Sequence, residues 1–226
     1  MRANPLILLR GGGDLASGVA YRLHKAGLPV VITELPKPLA VRTTVSYGMA
    51  AVYETVIIEG VTARRADLAD LPALYALLDR GLIPVLIDPE GAAIAALEPA
   101  AIIDGRVAKT VLDTHIDQAP LVVALGPGFV AGEDCHAVIE TNRGHHLGRV
   151  YWRGGAEPDT RTPSDLNGKQ HERVLRAPCD GAMTQIAVIG RLLHEGQLIG
   201  RVGETPIYAP FAGVLRGLID DDTLVT

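Results

Sequence analysis

Along the first 130 positions, continuous apolar runs that end in glycine or acidic residues alternate with stretches whose apolar residues recur every three or four. Pro5 to Arg10 is a short apolar run stopping at three glycines, which predicts a buried strand. From Leu15 to Ala26 the residues Leu15, Val19, Ala20, Leu23 and Ala26 fall on one helical face, and Gly27 ends the helix. "LPVVITE" is a second strand, ending at Glu34. Together they form a strand–helix–strand unit of the size a right-handed parallel crossover requires.

After the proline-rich "ELPKPLA", Val52 to Arg64 reads as extended chain with a hairpin at Glu59-Gly60. A helix over Leu68 to Leu78 leads into "LIPVLIDPEG", a strand ending at Asp88. "GAAIAALEP" is a short helix, "AAIIDG" a strand ending at Asp104, and "APLVVALGPGF" a strand ending at Gly126. Strands apolar on both faces and alternating with helices argue a Rossmann-like, doubly wound parallel α/β sheet over residues 1–134.

The rhythm changes after Phe129. "CHAVIETNRGHHLGRVYW" predicts a β hairpin over 135–152, turning near Asn142-Arg143-Gly144. Residues 153–172, rich in Gly, Pro, Asp and Thr, predict a linker or long surface loop. Over 173–226 the chain repeats itself: "APCDGAM" from Ala177 recurs as "APFAGVL" from Ala209, with short alternating strands and glycine corners between. This resembles the biotinyl/lipoyl family, a small all-β barrel-sandwich whose halves each begin Ala-Pro-x-x-Gly. That family carries its cofactor on a lysine at a hairpin tip. Here the tip reads Gly203-Glu204-Thr205 and no lysine follows Lys169, so neither biotin nor lipoate is expected. The second half stops at Thr226, so a final strand is expected to be absent or supplied from elsewhere.

Composition narrows the classes. The net charge of −5 comes without a Lys/Arg block, which argues against nucleic acid. No apolar run is long enough to span a bilayer, and "LILL" is too short for a signal segment. Cys135 and Cys179 lie far apart outside any C-x-x-C pattern, which fits a reducing, cytoplasmic setting.

The first candidate site is the glycine loop. Gly11-x-Gly13-x-x-Ala16 fits the dinucleotide fingerprint: one glycine for the sharp turn, one for close approach to pyrophosphate, and a small residue where helix meets strand. Gly12 lies between them. Glu34, about twenty residues on, is placed to accept a ribose hydroxyl. The alternative is a tight turn without a ligand. Asp14 sits at an N-cap or first-turn position, where its carboxylate can take the helix N–H groups and repel a phosphate.

Ligands of open α/β sheets lie beyond the carboxyl ends of the strands. Gly11, Gly12, Gly13, Glu34, Asp88, Asp104, Gly126 and Gly128 are expected there, although Asp and Gly also serve simply as turn residues. In "DGRVAK", Asp104, Arg106 and Lys109 suit an anion or a surface ion pair. His136 and Glu140 share one face of an extended strand. With His145 and His146 they match no standard zinc spacing, and no metal is assigned. Cys135 is expected to be buried and inert.

Several strings, among them "RGGGDLASGVAYRLHKAG", "ELPKPLAVRTTVSY", "LIDPEG", "LGPGF" and "HAVIETNRGHHLGRV", resemble the selenium-dependent molybdenum hydroxylase accessory family of the YqeB type. The resemblance runs from about Leu6 to the last residues. It implies support for, or maturation of, a client molybdenum hydroxylase of the xanthine dehydrogenase type. Taken with the glycine loop and the strand-edge cluster, it leads to the expectation of a small nucleotide-like ligand, NAD(P) or a molybdopterin-type nucleotide, and it assigns no catalytic residue. It adds Arg42, Phe129, Asn142 and Arg143 to Arg10, Lys109, His136, Glu140 and His145 as site candidates. Two other functions remain open: an NAD(P)-dependent oxidoreductase of a small metabolite, and a non-catalytic assembly protein. A homo-oligomeric state is open as well.

Overall fold

The structure, a computed structural model, describes residues 5–159, 168, 169 and 171–225. Strand β1 (Ile7–Arg10), helix α1 (Asp14–Lys25) and strand β2 (Val30–Glu34) make the expected parallel unit, with Ile7 opposite Val30 and Arg10 opposite Thr33. The next segment departs from the pattern. The chain makes two short 3₁₀ turns, Thr43–Val45 and Tyr47–Met49, and a single helical turn, α2 (Ala50–Tyr53). Val52 and Tyr53 therefore belong to a helix, and the extended chain begins only after Glu54, whose φ of 65° breaks the turn.

β3 (Thr55–Ile58) and β4 (Val61–Ala66) form the hairpin at Glu59-Gly60. Both turn residues have positive φ, 48° and 78°, as a two-residue turn matched to strand twist demands. α3 (Leu71–Asp79) is capped by Asp70, whose carboxylate accepts from Ala73 N–H at 3.0 Å. There follow β5 (Ile83–Ile87), α4 (Ala92–Leu97), β6 (Ala101–Asp104), β7 (Leu121–Leu125), β8 (Ala137–Ile139) and β9 (Val150–Tyr151).

All nine strands join one sheet in the order β3-β4-β5-β2-β1-β6-β7-β8-β9. Pairing is parallel from β4 to β8, and only the edge strands β3 and β9 run antiparallel to their neighbours. The segment read as a separate hairpin is thus part of the large sheet. Successive residues of β1 and β2 point into opposite layers. Leu9 and Ile32 pack with Ala16, Ala20, Tyr47 and Ala50 on one face; Leu8 and Val31 pack with Leu74, Leu86, Leu97 and Ile102 on the other. Fully burying such a side chain contributes about 1.5–3 kcal/mol. This explains why the central strands read as unbroken apolar runs. β2 and β6 flank β1 on opposite sides, so the direction in which strands are added reverses at β1.

The chain divides into two compact units, Met1–Pro38 with Val45–Asp159, and Leu39–Thr44 with Thr160–Thr226. Residues 39–44 go with the second unit because Val41 C=O accepts from Leu218 N–H at 2.8 Å. That unit holds β10 (Gly181–Gln185), β11 (Leu192–Leu193), β12 (Leu198–Val202), β13 (Thr205–Tyr208), β14 (Gly213–Val214) and β15 (Leu224–Val225). They form two antiparallel sheets, β13-β12-β10-β15 and β11-β14, over a core of Ala187, Leu193, Ile199 and Ala209. Each repeat contributes a strand opening on its glycine: β10 at Gly181 and β14 at Gly213. Nine of the twenty residues of the expected linker, 160–167 and 170, lie outside the described residues. No helix among the described residues is long and apolar enough to cross a membrane.

Candidate functional site

The carboxyl end of β1 runs into the glycine turn. Gly11 has φ +85°, and a Cβ there would lie 2.9 Å from Arg106 Cγ. Gly12 has no room either, since a Cβ would come within 2.5 Å of the Gly48 backbone. Its N–H donates to Glu34 Oε2 at 2.8 Å and its C=O accepts from Gly48 N–H at 2.9 Å and Ser17 Oγ at 3.0 Å. Ser17 Oγ in turn accepts from Tyr47 N–H at 2.8 Å. Tyr47 is fully buried, its hydroxyl donating to Ile58 C=O at 3.2 Å; burial pushes its phenol up to about 12.

Gly13 differs from both. Its φ of −65° suits any residue, and nothing lies within 4 Å of where a Cβ would be. Gly13 is the N-cap of α1, and Asp14 is the first helical residue rather than the cap. Glu34 is committed to the turn itself, its second oxygen accepting from Leu35 N–H at 2.8 Å. Burial raises the Glu34 carboxyl above its ordinary value, against those two N–H bonds and the charge of Arg106.

Beside the turn lies a charged network. Arg10 is buried and donates to Thr114 Oγ1 at 2.9 Å and Asp113 Oδ2 at 2.5 Å. Arg106 donates to Asp104 Oδ2 at 2.5 Å, Asp113 Oδ1 at 2.7 Å and Thr114 Oγ1 at 2.9 Å. Thr114 completes the ring by donating to Asp104 Oδ2 at 2.7 Å. Two guanidiniums face two carboxylates, so the network is neutral and suited to holding the 105–114 segment on β1. Burial alone would lower Arg106, but Asp104 and Asp113 outweigh it and raise the guanidinium further. Gly105 lets this segment pass α1, since a Cβ there would sit 2.7 Å from Ala16 Cβ. Asp88 ends β5 by accepting from Ala92 and Ala93 N–H, both at 2.9 Å, and so anchors α4.

After β7 two more glycines meet close neighbours, one a side chain and one backbone. Gly126 (φ +79°) faces Thr141 Oγ1, and Gly128 (φ +106°) faces the Lys109–Thr110 peptide, 2.5 Å from a Cβ position. Val107 and Lys109 take positive φ of 51° and 65° on this segment, a strained state for a β-branched residue. Lys109 pairs with Asp159 at 2.9 Å. Glu140 is buried and accepts from Asn142 and Glu157 N–H, both at 2.8 Å. Asn142 Nδ2 donates to Glu157 Oε2 at 2.7 Å, and His146 Nδ1 lies 3.1 Å from Glu157 Oε1.

The carboxyl edge therefore gathers Arg10, Gly11, Gly12, Gly13, Asp14, Glu34, Asp88, Asp104, Lys109, Gly126, Gly128, Glu140 and Asn142. Others fall elsewhere. His136 precedes β8 at the opposite, amino end of the sheet, where its Nδ1 accepts from Val122 N–H at 3.0 Å. Phe129 is core packing. Arg42 belongs to the second unit, bridged to Leu218. Arg143 and His145 stay at the carboxyl edge, exposed in the connection from β8 to β9. Among the described residues no three His, Cys, Asp or Glu side chains gather as a metal cluster.

Sequence reasoning missed Ser17, Tyr47, Gly48, Asp113 and Thr114. Gly48 had a usable signal: a glycine inside the buried apolar stretch "YGMAA" marks close backbone approach. Asp113 and Thr114 had none.

Fold and site together define an α/β protein whose large, mostly parallel sheet carries a glycine turn and a neutral charge network at its carboxyl edge. Over 220 residues the chain is 44% identical to the uncharacterized protein YqeB of Escherichia coli (strain K12), a match covering 97% of this chain and 40% of that protein. The likeness supports a YqeB-type protein, and the chain spans about two fifths of the relative's length. No protein-family model and no solved structure matches it.

Proposed function

We propose that this chain is an accessory module for maturing a molybdenum hydroxylase of the xanthine dehydrogenase type. It takes a pyrophosphate-bearing ligand, NAD(P) or the pterin nucleotide of the molybdenum cofactor, on the glycine turn of a Rossmann-like sheet. Gly13 carries the reading. The protein's own packing requires glycine at 11 and 12, but neither backbone nor packing requires it at 13, where open space borders the start of α1. A helix start beside the strand reversal is where pyrophosphate is held in such sheets. The ligand sits over Gly13 rather than Gly12, because Glu34 has taken the Gly12 N–H. The second unit, read as a biotinyl/lipoyl-like barrel-sandwich without an attachment lysine, docks the client.

Calorimetry with NAD, ADP and a pterin nucleotide tests this. Wild type is expected to bind at least one of them, and Gly13→Val to lose it while remaining folded. Failure of every nucleotide to bind overturns the reading.

A specific observation favours a second reading. The wedge of Gly12 against Gly48 gives the turn a structural purpose. On that reading the chain is a non-catalytic assembly protein, and a client hydroxylase is recovered in pull-downs equally with wild type and Gly13→Val.

A further inference from the structure

The two edges of the nine-stranded sheet are built differently. At one edge β9 is two residues long, lies between Arg149 and Arg153, and is followed by Gly154, whose C=O accepts from Ala131 N–H at 2.7 Å. A short strand, cationic flanks and a covered end are features that stop an edge from recruiting another strand. At the other edge β3 reads Thr55-Val56-Ile57-Ile58, without lysine, proline or any charge. Thr55 and Ile57 are exposed, Ile57 at 65%.

The β3–β4 hairpin determines which backbone groups of β3 face outward. Its two-residue turn closes on Ile58 opposite Val61, and at the far end Arg65 N–H donates to Glu54 C=O at 2.8 Å. Hydrogen-bonded and non-bonded pairs alternate along an antiparallel ladder. Glu54, Val56 and Ile58 therefore turn their peptide groups towards β4. Thr55 and Ile57 turn theirs away from it.

The geometry points to β3 as a homodimer interface. Two copies of this chain pair β3 to β3, antiparallel about a two-fold axis at Val56, with Thr55 of each copy opposite Ile57 of the other. The patch is self-complementary, as an isologous contact requires, and each Thr55–Ile57 pair exchanges two hydrogen bonds. Charge agrees with this register. It sets Glu54 opposite Ile58 and Glu59 opposite Tyr53, so these like charges do not face each other across the two-fold. Glu54 is also ion-paired to Arg65 within its own chain. The half-buried Val56 side chains meet at the axis on the core face.

Sedimentation velocity of the full chain, from low to high micromolar, is expected to show a monomer–dimer equilibrium. Ile57→Lys alters an exposed side chain and is expected to weaken the dimer by about tenfold or more, with unchanged circular dichroism. In a Cys179→Ser background, Val56→Cys is expected to form an intermolecular disulfide on mild oxidation. Paired Cα atoms at the axis lie about 4.5 Å apart, within disulfide range. Thr55→Cys, opposite residue 57, is expected not to. A monomer at every concentration, a dimer that Ile57→Lys leaves intact, or cross-linking through Thr55→Cys in place of Val56→Cys overturns the assignment.

Discussion

Gly12 and Gly48 lie backbone against backbone, joined by the Gly48 N–H to Gly12 C=O bond at 2.9 Å, with space for a side chain on neither. An alanine at 12 meets the Gly48 peptide, and an alanine at 48 meets Glu34 Oε2 at 2.7 Å. Each substitution is expected to cost about 1–3 kcal/mol in urea unfolding, as overpacking does. Gly13→Ser adds a good N-cap residue in open space and is expected to change stability by only a few tenths of a kcal/mol. Equal losses at 12 and 13 contradict this division of roles.

Asp104 holds both Arg106 and Thr114 while almost wholly buried. Asp104→Ala leaves the Arg106 guanidinium short of a carboxylate and the Thr114 hydroxyl short of an acceptor. Removing one partner of a buried pair typically costs about 3–5 kcal/mol. Because the Arg106 side chain is 23% exposed, the lower end is expected in denaturant melts. A loss below about 1 kcal/mol, the size of a surface pair, shows that the network does not anchor the segment.

Glu34 and Asp113 are expected to respond to pH with opposite signs. Burial raises the Glu34 carboxyl above 4.5, so its contribution is full below that value and is lost as pH rises through the folded one. For Asp113, burial works upward but Arg10 and Arg106 hold the carboxyl below 3.8. Its contribution is present above 3.8 and is lost as pH falls through the lower folded value. Urea midpoints taken across the acid range are expected to show a shallower decline above 4.5 in Glu34→Gln and a weaker acid limb in Asp113→Asn. Identical profiles in wild type and both variants refute the assignment.

The two thiols are expected to separate cleanly. Cys135 is buried, and burial together with Asp134 pushes it up to about 11; Cys179 is exposed. Alkylation near neutral pH followed by peptide mass spectrometry is expected to label Cys179 first and Cys135 only on unfolding. Comparable rates in the folded protein would show that the segment around β8 opens.

The strands are legible because burial on both faces leaves few polar positions: "LILL", "LPVVIT" and "LIPVLI" mark β1, β2 and β5 directly. The segment 43–53 was not, because its helical turns are too short to show a period and its Thr and Val favour strands. The glycine turn was readable as a local motif. The Arg10–Thr114 bond spans 104 residues, and no local pattern announces a contact of that kind. The sequence groups His136 with Glu140 because both fall on one face of an extended segment. The strand starts at Ala137, and the parallel pairing with β7 puts its preceding residue at the far edge.

That 104-residue span bears on how the molecule is made. Arg10 is synthesised 104 residues ahead of Thr114, and its carboxylate and hydroxyl partners arrive only with Asp113 and Thr114. Until then the guanidinium must stay hydrated, and the β1 tip cannot close. Parallel pairing of β1 with β6 needs the same wait, and such non-local contacts form slowly. The carboxyl edge is thus a late product of folding. No amino-terminal fragment that stops before Thr114 contains the charge network, so a nascent chain closes it only once Asp113 and Thr114 have been translated.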